Sequence, residues 1–350
     1  MADDLAYLLE RKPRASLGFF PTPFTRLDRL SDMLKVDLWI KRDDFTGMNL
    51  FGGNKIRKLE YLLGDALASG CDTVFTYGAT QSNHAMQTVA ACRRLGLNPI
   101  LYLNTYVKPD PNDVRSNMLL DRVFGAEMHI LESRPGESEA DTEERCFDLG
   151  KAHAARLESQ GHGCCDIPLG GASPIGSAGF IGGALELTRQ CTDGGVDPSF
   201  IFCATGTGGT LAGLTAGYRA LGSKARIIGV AVSDKNSEYE TKCSNLANAS
   251  LAWLGSDVKL DASDFTVERG YFQPGYEKPN FAATEAIRLL ARTEGLIADP
   301  VYTGKAFAGM LGWIRSGGAP MGSTLVFWHT GGATALFAES AIVGDLSSEI

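Results

Sequence analysis

The densest concentration of potentially chemical residues is the segment CATGTGGTLAGL at positions 203–214. An apolar run typical of a buried strand leads into a Gly/Thr loop, and the loop leads into a helix. Backbone N–H groups at such a junction point outward and the helix dipole adds partial positive charge, so the loop suits a phosphate group. Leu211 stands where the dinucleotide fingerprint GxGxxG needs its third glycine, and the chain has no GxxxxGK[ST] motif. The segment predicts an anion site of neither nucleotide-binding type; a tight turn that binds nothing is the alternative.

A second candidate is GGNKIRK at 52–58, where two lysines follow a glycine pair at the start of a predicted helix. Asn54 is the expected N-cap of that helix. Lys55 and Lys58 lie one turn apart on one face, although a cation at a helix N-terminus is unfavourable for the dipole. The pair indicates an anionic partner, or an amine whose pKa is lowered for covalent chemistry. An ordinary solvated face explains the spacing equally well.

The segment YGATQSNHAMQT at 77–88 brings four polar side chains to another strand–helix junction: Gln81, Ser82, Asn83 and His84. Free amides at that helix start can hold a carboxylate. Capping by Ser82 or Asn83 is the simpler alternative. The five histidines are scattered and no HExxH or CxxC pattern occurs, so the sequence predicts no metal site.

Two C-terminal segments add hydroxyl groups. Tyr302 stands in a turn-like stretch at 298–310, and Thr330 ends the apolar run VFWHTGG. In parallel sheets, ligands sit beyond the carboxyl ends of the strands, which places Thr330 well. Tyr271 and Tyr276, in GYFQPGYEKPN, are possible proton donors. A core aromatic and a turn residue are the alternatives for Tyr302 and Thr330.

The elements that must position these residues alternate between strands and helices. Strands are predicted at 36–44, 73–78, 98–104, 127–131, 199–205, 226–233 and 323–332, and helices at 55–68, 82–96, 114–124, 138–158, 179–188, 210–222 and 280–295. The stretch 233–262 reads as irregular. Strands alternating with helices of 10–15 residues predict an α/β fold with parallel sheets.

Composition limits the class of protein. A length of 350 residues suggests about two domains, and a net charge of −8 argues against a chain-wide basic surface for nucleic acid or anionic membranes. No apolar stretch approaches the 18 residues that a membrane span needs. The eight cysteines form no short-spaced framework, which favours reduced thiols and a cytoplasmic location.

Taken together, the motifs resemble those of a known family. KRDD, GGNKIRKLE, GATQSNH, the Gly/Thr loop, PGYEKPN, DPVYTGKA and HTGG follow one another between about residue 15 and residue 340. This order is similar to that of the D-cysteine desulfhydrase and 1-aminocyclopropane-1-carboxylate (ACC) deaminase family. The resemblance implies an enzyme dependent on pyridoxal 5'-phosphate, with the two open parallel-sheet lobes of the tryptophan-synthase-beta-like class, fold type II.

The resemblance also implies roles by position. Lys55 matches the lysine that binds the cofactor covalently and then serves as the base, and Lys58 matches one that contacts its phosphate. Asn83 matches the residue bonded to the cofactor's phenolic oxygen, and Ser82 a catalytic residue that holds the substrate carboxylate and transfers a proton. The matching phosphate loop is Gly206, Thr207, Gly208, Gly209 and Thr210.

The remaining assignments concern the ring and the substrate. Tyr302 matches the tyrosine stacked on the pyridine ring, Tyr276 an active-site tyrosine, and Thr330 the group beside the ring nitrogen. Gln81 and His84 complete the expected substrate-binding set with Ser82 and Asn83. The resemblance further implies a homodimer, with residues 55–170 as a smaller domain inserted between 1–54 and 171–350, which form the larger cofactor-binding domain.

Two positions separate the branches of this family. The deaminase branch has Glu directly after the stacking tyrosine and Leu where this chain has Thr330, whereas Thr303 follows Tyr302 here. A hydroxyl beside the ring nitrogen makes a weaker electron sink than a carboxylate would, adequate for β-elimination of a good leaving group. The expected reaction converts D-cysteine to pyruvate, hydrogen sulfide and ammonia.

Three alternatives remain open at this stage. L-cysteate sulfo-lyase activity would need a group for the sulfonate, with His84, Arg57, Lys278 and Tyr276 as candidates. ACC deaminase activity is the second. A non-catalytic pyridoxal-phosphate carrier is the third, disfavoured because a carrier needs no carboxylate pocket.

Overall fold

The structure, a computed structural model, describes residues 2–47, 52–105, 114–278 and 280–338. Its strands are β1 (Phe24–Arg26), β2 (Asp37–Arg42), β3 (Thr73–Ala79), β4 (Asn98–Thr105), β5 (Glu127–Glu132), β6 (Cys164–Ile167), β7 (Phe200–Thr205), β8 (Arg226–Ala231), β9 (Thr266–Glu268) and β10 (Thr324–His329). They form one six-stranded sheet in the order β1-β2-β10-β7-β8-β9 and one four-stranded sheet in the order β5-β4-β3-β6. Only the pair β1–β2 is antiparallel, which confirms the predicted α/β class.

The helices fill the connections between parallel strands. They are α1 (Ala2–Glu10), α2 (Asp28–Leu34), α3 (Lys55–Ala68), α4 (Asn83–Leu95), α5 (Ser116–Val123), α6 (Glu139–Glu158), α7 (Pro174–Gly194), α8 (Gly209–Ala220), α9 (Tyr239–Leu254), α10 (Phe281–Glu294) and α11 (Thr303–Arg315). The strands of the smaller sheet come from one continuous stretch, 73–167, within the predicted smaller domain. The division into two domains stays a prediction.

Close packing on α7 fixes the position of the lysine-bearing helix, α3, relative to the helix that follows the Gly/Thr loop, α8. Helix α7 lies between α3 and α8, and both approaches require glycine. A Cβ on Gly179 would lie 2.1 Å from the carbonyl oxygen of Arg57, and one on Gly213 would lie 2.2 Å from that of Ser177. The central strand β7 is buried along its whole length, as a parallel strand covered on both faces should be. These close contacts hold the start of α3 at the end of β7.

Two sequence predictions about elements were wrong. The stretch 233–262 contains α9, whose buried face is Tyr239, Cys243, Ala247 and Leu251. These residues repeat every four positions, but Cys and Ala give a weak apolar signal among the Ser, Thr and Asn around them. The turn-like stretch predicted at 298–310 is a turn only as far as Tyr302: α11 begins at Thr303, and its three glycines made the helix hard to predict.

Candidate active site

A cavity of about 380 Å³ lies where the carboxyl ends of the two sheets face each other. Its walls include Gly78 and Ala79 from the end of β3, and Ala204 and Thr205 from the end of β7. Of the sequence-predicted site residues, those lining it are Lys55, Lys58, Ser82, Asn83, His84, Gly206, Thr207, Gly208, Thr210, Tyr276, Tyr302 and Thr330. Motifs that are up to 275 positions apart in the chain therefore meet in one place.

The Gly/Thr loop occupies the turn between β7 and α8. Gly208 has a φ of 98°, a left-handed conformation that favours glycine. Gly209 is not among the residues that line the cavity, but its missing side chain matters, since a Cβ there would lie 2.7 Å from the Lys58 ammonium. Tyr239, which the sequence reasoning missed, donates its hydroxyl to the carbonyl of Gly206 at 2.9 Å. Loop, helix start and ammonium together form an anion cradle.

Two amines lie at the start of α3, where Lys58 is buried and Lys55 is half-buried. Burial lowers the pKa of Lys55 to about 8, against an opposing effect of Asp299. Burial and then the charge of Lys55 lower the pKa of Lys58 well below its usual range. Among the ion pairs of the described residues, none includes either lysine; Lys58 donates instead to the carbonyl of Gly170 at 3.0 Å. Two amines whose charged forms are disfavoured therefore share one cavity.

Asn54 does not cap α3 as predicted. Its side-chain amide donates to the Thr210 hydroxyl at 3.0 Å, and its Oδ1 accepts from the Lys55 ammonium at 3.0 Å. The residue therefore ties Lys55 to the Gly/Thr loop, a role that no local pattern in the sequence indicated because Thr210 is 156 positions away.

At the start of α4, Ser82 both caps the helix and lines the cavity. The hydroxyl of Ser82 accepts from the backbone N–H of Ala85 at 3.2 Å, so the capping alternative is realised while Ser82 still lines the cavity. Gln81 lies outside the cavity. Its side chain accepts from the backbone N–H of Asn117 and donates to the carbonyl of Arg115, which leaves it no reach toward a substrate.

Asn83 has a fixed amide orientation. Its Oδ1 accepts from the Nδ2 of Asn117 at 2.7 Å and from the hydroxyl of Thr334 at 3.1 Å. Because both donors engage the oxygen, the Nδ2 of Asn83 remains as the donor available at the cavity. An acceptor such as a phenolic oxygen suits that position.

His84 is neutral, with an assignable tautomer. Burial, followed by the charges of Lys55 and Lys58, lowers its pKa well below the usual range. Thr76 donates its single hydroxyl proton to the carbonyl of Ile167, so the Nε2 of His84 must donate to the Thr76 oxygen, at 2.9 Å. The Nδ1 is then an acceptor, buried and without a partner among the described residues.

Tyr276 and Tyr302 come from different segments and meet at their hydroxyls, which are hydrogen-bonded to each other. Their rings lie 5.9 Å apart in an edge-to-face arrangement, and the Lys55 ammonium lies 6.0 Å from the Tyr302 ring. Lys305 donates to the carbonyl of Gly275 at 2.8 Å and so holds the segment that carries Tyr276. Pro279 of the PGYEKPN motif lies outside the described residues.

Asp299 is the most important residue that the sequence reasoning missed. Its carboxylate accepts from the backbone N–H groups of Val301, Tyr302 and Thr303, each at 2.8 Å. The hydroxyl of Thr303 donates to the same carboxylate at 2.6 Å. Asp299 therefore fixes the start of α11 and the position of Tyr302. The signal in the sequence was DPVYT, an acid with a hydroxyl four residues later just before a helix.

Two residues considered for a sulfonate are not at the cavity. Arg57 binds Asp43 and Glu186, and Lys278 is exposed; neither is among the residues that line it. Thr330 does line it, and its carbonyl accepts from the backbone N–H of Asn54 at 3.0 Å, which joins the end of β10 to the start of α3.

Comparison with known proteins gives consistent results. The family described as pyridoxal-phosphate dependent enzyme matches residues 15–331. A D-cysteine desulfhydrase of Klebsiella pneumoniae (strain 342) is 40% identical over 334 residues, covering 94% of this chain and 97% of the relative.

Solved structures agree with the fold. A crystal structure described as an ACC deaminase homologue is 36% identical with a TM-score of 0.86, covering 98% of this chain and 99% of that one. Diaminopropionate ammonia lyase of Escherichia coli, 17% identical with a TM-score of 0.65 over 98% and 90% of the two chains, shows the fold alone. These findings confirm the predicted fold type and cofactor: the chain belongs to the pyridoxal-phosphate-dependent enzymes.

Proposed function

We propose that this enzyme is a D-cysteine desulfhydrase, a lyase that converts D-cysteine and water to pyruvate, hydrogen sulfide and ammonia. The observation that carries the proposal is the pair of lysines at the start of α3, one partly neutral and one beside the Gly/Thr loop, facing the start of α4 across the cavity. The 40% identity to a D-cysteine desulfhydrase over nearly the whole chain supports the choice of substrate.

The cavity has the donor set that pyridoxal phosphate needs. The phosphate fits the loop 206–210 and Lys58, whose approach depends on the missing side chain of Gly209. Lys55 would supply the amine for the covalent bond, the Nδ2 of Asn83 would donate to the phenolic oxygen, and Thr330 would serve the ring nitrogen. When bound, the cofactor supplies an electron sink for the bond that breaks at the substrate's Cα.

Side chains of the enzyme carry out the proton transfers. An amine whose pKa is lowered to about 8 has a larger neutral fraction near neutral pH than an ordinary lysine, so Lys55 is the base that takes the proton from the substrate's Cα. Ser82 and the free amides of α4 bind the carboxylate. The hydroxyl of Tyr276, hydrogen-bonded to that of Tyr302, would give a proton to the thiolate that leaves the β-carbon. His84 completes the substrate pocket with its free Nδ1 acceptor, and Gln81 supports it indirectly through Asn117.

The environment of Thr330 and Thr303 favours elimination over ring opening. Thr330 offers a neutral hydroxyl at the end of β10, and Thr303 directs its own hydroxyl to Asp299 rather than to the cavity. No carboxylate therefore approaches from the position after Tyr302. A weak electron sink suffices when thiolate leaves from the β-carbon.

ACC deaminase activity is the second candidate, because a homologue of that enzyme is 36% identical with a TM-score of 0.86. A substrate panel separates the two: D-cysteine, L-cysteine, L-cysteate, D-serine, β-chloro-D-alanine and ACC, each assayed for keto acid and for sulfide or sulfite. We expect pyruvate and sulfide in equal amounts from D-cysteine with the highest kcat/KM. Preferential turnover of ACC, or of L-cysteate with release of sulfite, would replace the proposal.

We further propose that the enzyme is a homodimer of cytoplasmic location, and that residues 55–170 form a domain inserted in the larger cofactor-binding one. Among the described helices, none has the length and apolar character needed to cross a membrane. The acidic net charge supports a small amino-acid substrate rather than nucleic acid. Light scattering at two protein concentrations tests the dimer.

A further inference from the structure

Outside the cavity, the fold brings together two histidines and a glutamate that the sequence keeps apart. Glu127 and His129 are two residues apart on β5, so their side chains share one face of the strand. His153 comes from α6, which packs over that face. The Oε1 of Glu127 lies 2.7 Å from the Nε2 of His129 and 3.9 Å from the Nδ1 of His153. All three ligand atoms lie within 4.8 Å of one another.

The two imidazoles are held by aromatic packing. His129 stacks on Tyr102 with ring centroids 4.5 Å apart and an interplanar angle of 12°. His153 packs edge-on against Phe75 at 5.3 Å and against His129 at 5.5 Å. Rings that are fixed in this way lose little conformational freedom when they bind an ion.

One of the ligand atoms also contacts a phenol. The Nδ1 of His153 is hydrogen-bonded to the hydroxyl of Tyr102 at 3.1 Å. An imidazole nitrogen has one lone pair, so an ion that binds Nδ1 replaces this hydrogen bond and the Tyr102 hydroxyl turns away.

The site is accessible. The side chain of Glu127 is 51% exposed and that of His129 is 38% exposed, whereas that of His153 is 8% exposed. An ion can therefore enter from solvent, bind two nitrogens and one carboxylate oxygen, and keep water in its remaining position. Bonds of about 2.0–2.2 Å to zinc place tetrahedral ligands roughly 3.3 Å apart, a value that lies between the 2.7 and 3.9 Å separations found, so small side-chain movements suffice.

We propose that Glu127, His129 and His153 form a binding site for a divalent transition-metal ion with nitrogen and oxygen preference, such as Zn²⁺. The ion would bridge β5 to α6. Its effect is on stability rather than on chemistry, because His153 lies ten residues along α6 from Glu143, the residue of that helix that lines the cavity. Ten residues correspond to about 15 Å along a helix axis.

Zinc titration of the metal-free holoenzyme by calorimetry tests the site. We expect one equivalent to bind, a higher melting temperature with zinc, and unchanged kcat. Glu127→Gln and His129→Ala change exposed side chains, so both variants should fold and should bind zinc at least about tenfold more weakly. His162→Ala is the matched control, since His162 pairs with Asp72 alone at 3.1 Å. Its affinity should equal that of the wild type.

Co²⁺ identifies the ligand type, because the chain also has eight cysteines. We expect a weak visible spectrum typical of nitrogen and oxygen ligands, lost in His129→Ala. An intense thiolate charge-transfer band, or zinc affinity that is the same in wild type, Glu127→Gln and His129→Ala, would overturn the proposal. So would the absence of zinc binding to the wild type.

Discussion

Helix α3 carries basic side chains in two different surroundings: Arg57 has carboxylate partners, whereas Lys55 and Lys58 do not. Arg57 binds Asp43 through two hydrogen bonds of 2.7 Å and binds Glu186 through two of 2.9 Å. Lys55 and Lys58, on the same helix, face the cavity and the Gly/Thr loop without such partners. Burial disfavours the charged form of all three side chains, so the difference between their pKa values comes from the carboxylates beside Arg57.

The pKa values record this contrast. For Arg57, burial acts against the charge, but Asp43 and Glu186 outweigh it and raise the pKa. Burial also acts to raise the pKa of Glu186, and Arg57 and Lys41 outweigh it and lower that pKa to about 2. For Lys55 and Lys58, burial prevails and the pKa falls.

The comparison shows how a scaffold differs from a site within one helix. Paired buried charges satisfy one another and hold α3, α7 and β10 together, with the indole of Trp328 donating to Asp43 at 2.8 Å. Basic side chains that lack a carboxylate partner are available to bind an anion or to react with a carbonyl compound. Substituting one residue of each kind should show which side chains affect the free energy of unfolding and which affect cofactor binding.

Removing Lys55 gives the largest expected effect. Lys55→Ala deletes both the amine that binds the cofactor and the base at Cα, so kcat should fall at least about 10³-fold. Borohydride should no longer trap the cofactor on the chain, and the absorption of the lysine-bound cofactor near the visible edge should vanish. Lys278→Ala, at an exposed position, should retain both. Borohydride trapping on the Lys55→Ala chain would refute the assignment.

Arg57→Met should cost about 3–5 kcal/mol of unfolding free energy, because Asp43 and Glu186 would lose their shared buried partner. Urea denaturation of the cofactor-free protein measures this loss. A cost below about 1 kcal/mol would mean that the cluster does not hold the scaffold.

Lys58→Met should weaken cofactor binding without lowering the free energy of unfolding. The change removes a buried cation that has no carboxylate partner, so the unfolding free energy of the cofactor-free protein should stay equal or rise. Affinity for pyridoxal phosphate should fall about 10–100-fold, the value of one charge-assisted hydrogen bond of about 1.5–3 kcal/mol. Destabilisation as large as that of Arg57→Met would end the distinction between the two groups.

The pH dependence of cofactor attachment should report the lowered pKa of Lys55. Only the neutral amine attacks the carbonyl, and with a pKa of about 8 its neutral fraction rises about tenfold between pH 7 and 9. Stopped-flow absorbance with the cofactor-free enzyme should show a rate that rises with pH and levels off above about pH 9. A rate still rising through pH 10.5 would indicate an ordinary lysine.

Replacing Thr334 should give the smallest effect. Thr334→Val removes one of the two donors that orient the Asn83 amide, so pyridoxal-phosphate affinity should fall about fivefold, in line with one neutral hydrogen bond of about 1 kcal/mol. Asn117→Ala should act in the same direction. Equal affinity in both variants would mean that the amide needs no external support.

Much of the site was predictable because its chemistry is local in sequence. A strand, a glycine-rich turn and a helix start occur within a few residues at Gly206, and Lys55 and Lys58 share a helical face through their spacing. The roles of Asn54 and Tyr239 were not predictable, since each depends on a partner that is distant in the sequence. Asp299 had a local signal for its contacts with the start of α11, but its effect on Lys55 depends on the folded chain.

Arg57 and His153 show what only the tertiary structure decided. Nothing in GGNKIRK distinguishes Arg57 from the lysines beside it; Glu186, 129 residues later, does. Nothing in the sequence brings His153 to His129, because contact between a helix and a strand is set by packing. The sequence by itself determined the α/β class through periodicity and the motifs through residue type and spacing, and the resemblance of those motifs to a known family implied the cofactor. The tertiary structure decided which charges are paired, because burial and partner distance exist only in the folded chain.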